Sequence, residues 1–221
     1  VVVSDINEER STDIASEIAE RGGKAFAYRC DVTSGQDWKE VVAASLDRFG
    51  GLDILVNNAG MPQINQPLLD VEEETFDKIF EVNVKSIYHA TQHAVPIMRE
   101  TGGGSIINTA STAALRPRPG LAWYNSSKGA VVTLTKSMAV ELAPEQIRVN
   151  ALCPVAGDTP MLGAFLGGEV TNDMYAQFVS TVPMGRLSTP LDIAKAAMFF
   201  ASEDSEFITG VCMEVDGGRC I

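Results

Sequence analysis

The sequence predicts a doubly wound α/β fold, in which helices cover both faces of a parallel β-sheet. Apolar runs of strand length alternate along the chain with amphipathic stretches of helix length, and this alternation is typical of repeated strand–helix–strand units. The strand-length runs are nearly continuous in Val, Ile and Leu, as expected for strands that are buried on both faces. With 221 residues, the chain is long enough to form one domain with a sizeable core.

The elements follow from this alternation in chain order. The predicted strands are 1–5, 25–30, 52–57, 104–110, 147–153 and 211–215. The predicted helices are 7–21, 35–49, 71–100, 123–143 and 190–202. Two helix starts are indicated by capping side chains, Ser34 with Asp37 and Asp70 with Glu73. Three helix ends are indicated by glycines, which tolerate left-handed backbone, at 22–23, 50–51 and 102–104.

Residues 154–182 interrupt the alternation. They combine several glycines with large apolar side chains, among them Met161, Phe165 and Phe178. An apolar, glycine-rich excursion after a strand favours a lid that covers a substrate within the single domain 1–221. A surface loop with one packed short helix fits the same composition.

Composition disfavours several classes of function. The formal net charge of −12 at pH 7 argues against a nucleic-acid-binding surface and against binding to anionic membranes. There is no stretch of eighteen or more uncharged apolar residues, so no transmembrane helix is predicted. The four cysteines lack the spacing of a metal site, which favours a reducing compartment and a cytoplasmic location.

Tyr124 and Lys128 form a Tyr-x-x-x-Lys pair in a predicted helix, and Ser111 lies thirteen residues before the tyrosine. Residues four apart on a helix share one face, with Cβ atoms about 6 Å apart. A phenol has a pKa near ~10, and a nearby ammonium lowers that pKa because it favours the phenolate. The pair is therefore a candidate for general acid–base catalysis near neutral pH. An interface tyrosine beside a solvated lysine gives the same spacing.

Further motifs surround this pair in a fixed order. They are Asp5, Cys30-Asp31-Val32-Thr33 and Asn57-Asn58-Ala59-Gly60 at strand ends, Asn83 in a helix, Pro154 to Thr159 after a strand, and Val215-Asp216-Gly217-Gly218 near the end of the chain. Together, and from end to end of the chain, they resemble the short-chain dehydrogenase/reductase family, in particular its glucose- and ribitol-type dehydrogenases and its 3-oxoacyl-carrier-protein reductases. The resemblance implies a Rossmann-like fold and an oxidoreductase that moves a hydride between NAD(H) and an alcohol or ketone.

The resemblance also implies a role for each catalytic residue. Tyr124 exchanges the proton with the substrate oxygen, and Ser111 donates a hydrogen bond to that oxygen, where charge develops. Lys128 lowers the pKa of Tyr124 and binds the nicotinamide ribose. Asn83 lies at a helix kink and completes a proton relay through water.

The cofactor is expected at the carboxyl ends of the strands, where ligands of open α/β sheets bind. A carboxylate at Asp5 suits the ribose hydroxyls of adenosine and repels a 2′-phosphate, and Ile6 supplies no arginine, so NAD is favoured over NADP. A cap of helix 7–21 is the alternative role for Asp5. By resemblance, the other cofactor contacts are Ile6, Asp31, Val32, Asn57, Ala59, Gly60, Tyr124, Lys128, Pro154 and Thr159.

The resemblance has one large gap. The family begins with a strand, a glycine-rich turn that holds the pyrophosphate, and a helix, and none of these precedes Val1. One such unit, roughly thirty residues, is therefore expected to be missing. In the family's strand order it would supply a central strand, without which two strand edges are unpaired.

Two alternative functions remain open at this point. An NADPH-dependent 3-oxoacyl-carrier-protein reductase has a similar sequence, but Asp5 and the acidic balance count against it. A catalytically silent binding or scaffold protein would not need Ser111, Tyr124 and Lys128 together.

Helices 71–100 and 123–143 carry apolar residues on more than one face, which indicates burial on more than one side. In the family, these helices pair across a two-fold axis and the C-terminal strand forms a second interface, so the resemblance implies a homotetramer. A monomer whose lid covers the surplus apolar residues is the alternative.

Two further motifs carry weaker indications. His89 and His93 are four apart on a helix, but no third ligand accompanies them, so no metal site is predicted. Arg116 and Arg118 lie between Ser111 and Tyr124 and could reach an acidic substrate. A stiff surface loop at a subunit contact explains them equally well.

Overall fold

The computed structural model describes residues 1–159 and 161–221 and has the predicted α/β architecture. Within these residues the strands are β1 Val2–Asp5, β2 Phe26–Arg29, β3 Ile54–Asn57, β4 Gly104–Thr109, β5 Ile147–Pro154 and β6 Cys212–Val215. The α-helices are α1 Glu8–Glu20, α2 Gly35–Phe49, α3 Glu73–Phe80, α4 Ser86–Thr101, α5 Ala122–Leu142, α6 Leu162–Leu166, α7 Asn172–Val179 and α8 Pro190–Ala201. Strands and helices alternate through most of the chain, which confirms the predicted fold class.

All strand pairs are parallel, but they form two sheets rather than one. β1 pairs with β2, and β3, β4, β5 and β6 pair in that order. Among the described residues no strand lies between β1 and β3, where the family resemblance implies one more. The family's continuous sheet is divided at this point, as expected without a central strand, and alternate side chains of β3, Ile54 and Val56, are exposed.

Side chains of β4 and β5 are buried on both faces of the larger sheet, as the near-continuous apolar runs predict. On one face, Ile106 and Val149 join a core that includes residues of α2, α4 and α5. On the other face, Ile107 and Leu152 pack against Phe200 of α8. Consecutive strand residues therefore contact opposite helix layers, which is the doubly wound arrangement.

The predicted helix 71–100 is divided in the structure. A five-residue π-helical turn, Glu81–Lys85, separates α3 from α4. Asp70 ends a short 3₁₀ turn and Glu72 occupies the N-cap of α3 without a side-chain bond, so the predicted Asp70 cap is wrong. The Ser34 cap is confirmed, because its hydroxyl accepts a bond from the Asp37 N–H at 3.2 Å.

Most apolar residues of α4 and α5 are buried or half-buried within the chain. Tyr88 and Val140 are exceptions, with 57% and 80% of their surface exposed. No helix in the described part of the chain has the length and apolar character needed to cross a bilayer.

Candidate active site

A cavity of about 570 Å³ opens beside the carboxyl ends of β3, β4 and β5. Ser111, at the start of a short 3₁₀ turn after β4, lines this cavity together with Tyr124 and Lys128 of α5. The predicted cofactor contacts Gly60, Pro154 and Thr159 also line it. Asp5, Ile6, Asp31, Val32, Asn57, Ala59 and Asn83 do not line this cavity.

Tyr124 is buried in the first turns of α5, and its ring lies 5.0 Å from the ring of Phe165. Burial raises the pKa of Tyr124 to about 12, while a hydrogen bond with the Ser111 hydroxyl acts to lower that pKa. The phenol is therefore neutral at pH 7 and has a proton to donate. The net shift of this pKa is therefore upward rather than downward as expected, because burial is its largest cause.

Lys128 is buried one helical turn after Tyr124, on the same face of α5. Its Nζ donates a hydrogen bond of 2.7 Å to the backbone oxygen of Thr109 and lies 5.9 Å from the centre of the Tyr124 ring. Burial lowers the pKa of Lys128 to about 8. The end of β4 thus fixes the ammonium at the wall of the cavity, within electrostatic reach of the phenol.

Asn83 occupies the π-helical turn beneath the cavity and is almost fully buried. Its side chain accepts a bond from the Met61 N–H at 2.7 Å and donates to the Met61 oxygen and to the Ser127 hydroxyl at 3.0 Å each. A Cβ at Gly60 would lie 3.5 Å from the Asn83 Oδ1 and 3.6 Å from the Lys128 Nζ. Asn83 therefore ties the loop after β3 to α5, and the glycine keeps the space beside Lys128 open.

The predicted adenosine contacts lie at the ends of β1, β2 and β3. One carboxylate oxygen of Asp5 accepts the Asn7 N–H at 2.8 Å, and Asn7 is the N-cap of α1. The alternative role of Asp5 as the cap of this helix is therefore wrong. Asp31 accepts bonds from the backbone and hydroxyl of Thr33 at 2.9 and 2.8 Å.

Asn57 points away from the cavity. Its side-chain amide donates to the Asn108 side-chain oxygen at 2.8 Å, inside the larger sheet. This side chain is therefore engaged within the sheet, and its predicted cofactor contact stays a prediction.

The structure identifies one residue that the sequence motifs do not, Gln63. Its side chain is fully buried, and its oxygen accepts the backbone N–H groups of Trp123 and Tyr124 at 3.1 and 3.0 Å. Its nitrogen donates to the Gly120 oxygen at 3.0 Å. Gln63 thus takes the place of an N-cap for α5, because Leu121 at the cap position offers no side-chain acceptor. A polar residue in an irregular loop has no periodicity that would reveal this role.

We expect Gln63→Leu to destabilise the fold by about 1–3 kcal/mol, because it leaves buried backbone groups at the start of α5 without partners. Urea unfolding with the slope held common to both proteins measures the change. The control is Gln36→Leu, since Gln36 is exposed and bonds only Glu40. Equal midpoints for Gln63→Leu and the wild type would contradict the capping role.

A family model described as enoyl-(acyl carrier protein) reductase matches residues 1–219. The chain is 45% identical over 221 residues to a 4-formylbenzenesulfonate dehydrogenase of Comamonas testosteroni, covering 100% of this chain and 88% of that protein. It is 37% identical over 219 residues to a 2,5-dichloro-2,5-cyclohexadiene-1,4-diol dehydrogenase of Sphingobium indicum, covering 99% of this chain and 85% of that protein.

Solved structures are equally similar. A 3-ketoacyl-(acyl-carrier-protein) reductase of Brucella melitensis complexed with NADH has a TM-score of 0.90 and 45% identity, over 100% of this chain and 88% of that one. A short-chain type dehydrogenase/reductase of Mycobacterium marinum has a TM-score of 0.90 and 36% identity, over 99% of this chain and 85% of that one.

Proposed function

The chain belongs to the short-chain dehydrogenase/reductase family, and on this premise we propose that Ser111, Tyr124 and Lys128 carry its chemistry. The protein is an NAD-dependent oxidoreductase that transfers a hydride between NAD(H) and an alcohol or carbonyl carbon. The observation that carries the proposal is the meeting of these three side chains in one largely apolar cavity. A buried phenol, a buried ammonium and a hydroxyl at one cavity suit proton exchange with a substrate oxygen.

In carbonyl reduction, the neutral Tyr124 phenol donates its proton to the substrate oxygen, and in alcohol oxidation the phenolate takes that proton back. Ser111 donates a hydrogen bond to the same oxygen and stabilises the charge that develops there. Lys128 favours the phenolate through its positive charge. Asn83 holds Met61 and Ser127 and so positions the floor of the site; a water bound beside Lys128 would connect it to a proton relay.

The residues at the cavity fit a nicotinamide cofactor. Gly60 leaves room beside Lys128, whose ammonium can donate to ribose hydroxyls, and Pro154 and Thr159 line the same cavity. Ile6, Asp31, Val32, Asn57 and Ala59, outside this lining, are proposed to contact the adenosine half of the cofactor. When bound, NAD supplies the hydride acceptor, and the chain's own residues bind, orient and exchange the proton.

The alternative is a 3-oxoacyl-carrier-protein reductase, which is what the Brucella melitensis neighbour is called. The net charge of −12 disfavours docking of an acidic carrier protein, whereas the relatives named as dehydrogenases support small alcohols or aldehydes. We therefore favour a small cyclic or benzylic alcohol, or the matching carbonyl compound, as substrate. The segment 154–182 is proposed as the lid over it, because Met161, Phe165 and Phe178 line the cavity.

The test is the appearance of NADH absorbance with cyclic secondary and benzylic alcohols, alongside consumption of NADH and NADPH with a 3-oxoacyl thioester. Oxidation of at least one alcohol with NAD is the expected result. A clear preference for the thioester with NADPH would establish the alternative. Binding of NADH without turnover of any alcohol or carbonyl compound would identify a catalytically silent member.

The cofactor choice gives a separate prediction. We expect NAD to be preferred over NADP by at least ~10-fold in kcat/KM, equivalent to ~1.4 kcal/mol, because a 2′-phosphate would face the Asp5 carboxylate. Asp5→Ala should narrow this ratio, and the matched variant Asp13→Ala on the exposed face of α1 should not. Better use of NADPH than NADH by the unaltered protein would contradict the role of Asp5.

We further propose a homotetramer located in the cytoplasm. The four free cysteines support a reducing compartment. A face near the C-terminal strand supports a subunit interface, since Phe207 is fully exposed and Met198, Leu191 and Ile221 are largely exposed.

For the assembly we expect light scattering to give four times the subunit mass. Phe207→Asp should reduce the measured mass to twice that of one subunit. Asp204→Asn on the same turn is the control. A mass of one subunit at micromolar concentration for the unaltered protein would contradict the tetramer.

A further inference from the structure

Three arginines, Arg116, Arg118 and Arg219, line the same cavity as the catalytic side chains. Two of them follow Ser111 in the sequence, and the third comes from the chain's last residues. The Arg116 guanidinium donates a hydrogen bond to the backbone oxygen of Arg219, which holds the two segments together. The cavity thus has a cationic wall that no single stretch of sequence encodes.

Among the described residues, no carboxylate forms an ion pair with this wall. The described lining contains no Asp or Glu, and the three arginines take part in none of the ion pairs found in residues 1–159 and 161–221. The Asp216 side chain accepts the backbone N–H groups of Gly218 and Cys220, and it forms no ion pair with the arginines. This is unusual for a chain with a net charge of −12.

Arg118 is the arginine that most needs a counter-ion. It is half-buried, and its guanidinium carbon lies 4.7 Å from the centre of the Phe178 ring. Burial lowers the pKa of Arg118, and the like charge of Arg219 lowers it further. Holding two guanidinium groups together in a partly desolvated place costs free energy that a bound anion would offset.

The remainder of this region is apolar. Leu121, Val155, Phe165 and Phe178 line the same cavity as the arginines and the catalytic side chains. Tyr124 itself packs on Phe165. An apolar, ring-sized body can therefore contact these side chains while an acidic group lies at the arginines.

We propose that the cavity selects alcohols or carbonyl compounds that have an apolar, ring-sized body and an anionic group, a carboxylate or a sulfonate, bound by Arg116, Arg118 and Arg219. The proposal rests on the function proposed above and specifies its substrate class. A planar, two-oxygen anion matches the donor fork of a guanidinium, and a sulfonate presents the same paired oxygens.

The experiment compares two substrates of nearly equal shape, 4-(hydroxymethyl)benzoate and 4-(hydroxymethyl)benzamide, with NAD. We expect kcat/KM to be at least ~10-fold higher for the carboxylate, equivalent to ~1.4 kcal/mol, since charge-assisted hydrogen bonds to arginine are stronger than neutral ones. Arg118→Gln and Arg116→Gln should each reduce this ratio, mainly through KM. Arg10→Gln, on the exposed face of α1, is the control and should leave the ratio unchanged.

A binding measurement separates this proposal from the proposed function. Calorimetric titration with benzenesulfonate and with benzenesulfonamide needs no turnover, and we expect the sulfonate to bind more tightly, with the difference lost in Arg118→Gln. Arg116→Gln, at an exposed position, serves as a second variant if Arg118→Gln does not fold. Equal binding of both compounds would overturn the proposal even if neutral alcohols are oxidised. Inhibition by the sulfonate that is competitive with NAD rather than with the alcohol would also overturn it.

Discussion

Replacement of Tyr124 by Phe is expected to reduce kcat by about 10²–10⁴, the usual contribution of a general acid–base group. The ring can keep its contact with Phe165, so the loss reflects the missing phenol O–H rather than a collapsed cavity. The affinity for NADH should change only a few-fold, because the donor proposed for the nicotinamide ribose is Lys128. Stopped-flow measurement of hydride transfer with a saturating alcohol, together with NADH fluorescence titration, measures both quantities.

The control for this variant is Tyr88→Phe, which removes the same hydroxyl from an exposed tyrosine on α4. It should leave kcat unchanged. A Tyr124→Phe protein that kept half the wild-type kcat would show that Tyr124 is not the proton donor.

Replacement of Lys128 by Met is expected to lower kcat/KM by about 10²-fold or more, because the ammonium that favours the phenolate is lost. Unlike Tyr124→Phe, it should also weaken NADH binding. The control is Lys136→Met, which lies two turns further along the same helix and is exposed. Unchanged NADH affinity in Lys128→Met would argue against a cofactor contact.

Lys128→Met is expected to increase the stability of the fold although it lowers activity. Wild-type Lys128 has a pKa of about 8 when folded, below the ordinary lysine value of 10.5. Between pH 8 and pH 10.5, folding therefore releases the proton that the unfolded chain binds. The buried charge therefore destabilises the wild type below pH 8, and the penalty fades as pH rises from 8 to 10.5. We expect Lys128→Met to unfold at a higher urea concentration than the wild type at pH 7, with the advantage shrinking towards pH 10. A difference that grows with pH would contradict the burial of a charged lysine.

The sequence predicts β4 and β5 well because each is an apolar run that is covered by helices on both faces. The alternation of Ile106 and Ile107 between the two faces of β4 is the direct reason. Tyr124 and Lys128 could be placed on one face for a similarly local reason, because four residues on a helix fix their relation. The chemical roles of Ser111, Tyr124 and Lys128 came from the family resemblance, because helical spacing alone does not indicate them.

The remaining features depend on contacts between distant parts of the chain. The π-helical turn at Asn83 accompanies bonds to Met61, 22 residues away, which no helical periodicity indicates. Arg219 lies 103 residues from Arg116, so the cationic wall exists only in the folded chain. The predicted lowering of the Tyr124 pKa was wrong for a related reason, since burial by Phe165 and its neighbours could not be inferred from the spacing of the lysine.

The loop after β3 has a consequence for how substitutions combine. Met61 is held by Asn83, Gln63 holds the start of α5, and the Asn65 backbone N–H donates to the Ala164 oxygen of α6 at 2.9 Å. One short segment, residues 61–65, thus supports the π-helical turn at Asn83, the start of α5 and α6. Substitutions at Gln63 and Asn83 affect the same segment, so their changes in the free energy of unfolding should not be additive. Each should be additive with a substitution on the distant helix α1. A double-mutant cycle would therefore show that Gln63 and Asn83 are energetically coupled. The effect of an evolutionary substitution at one of these positions would then depend on the residue at the other.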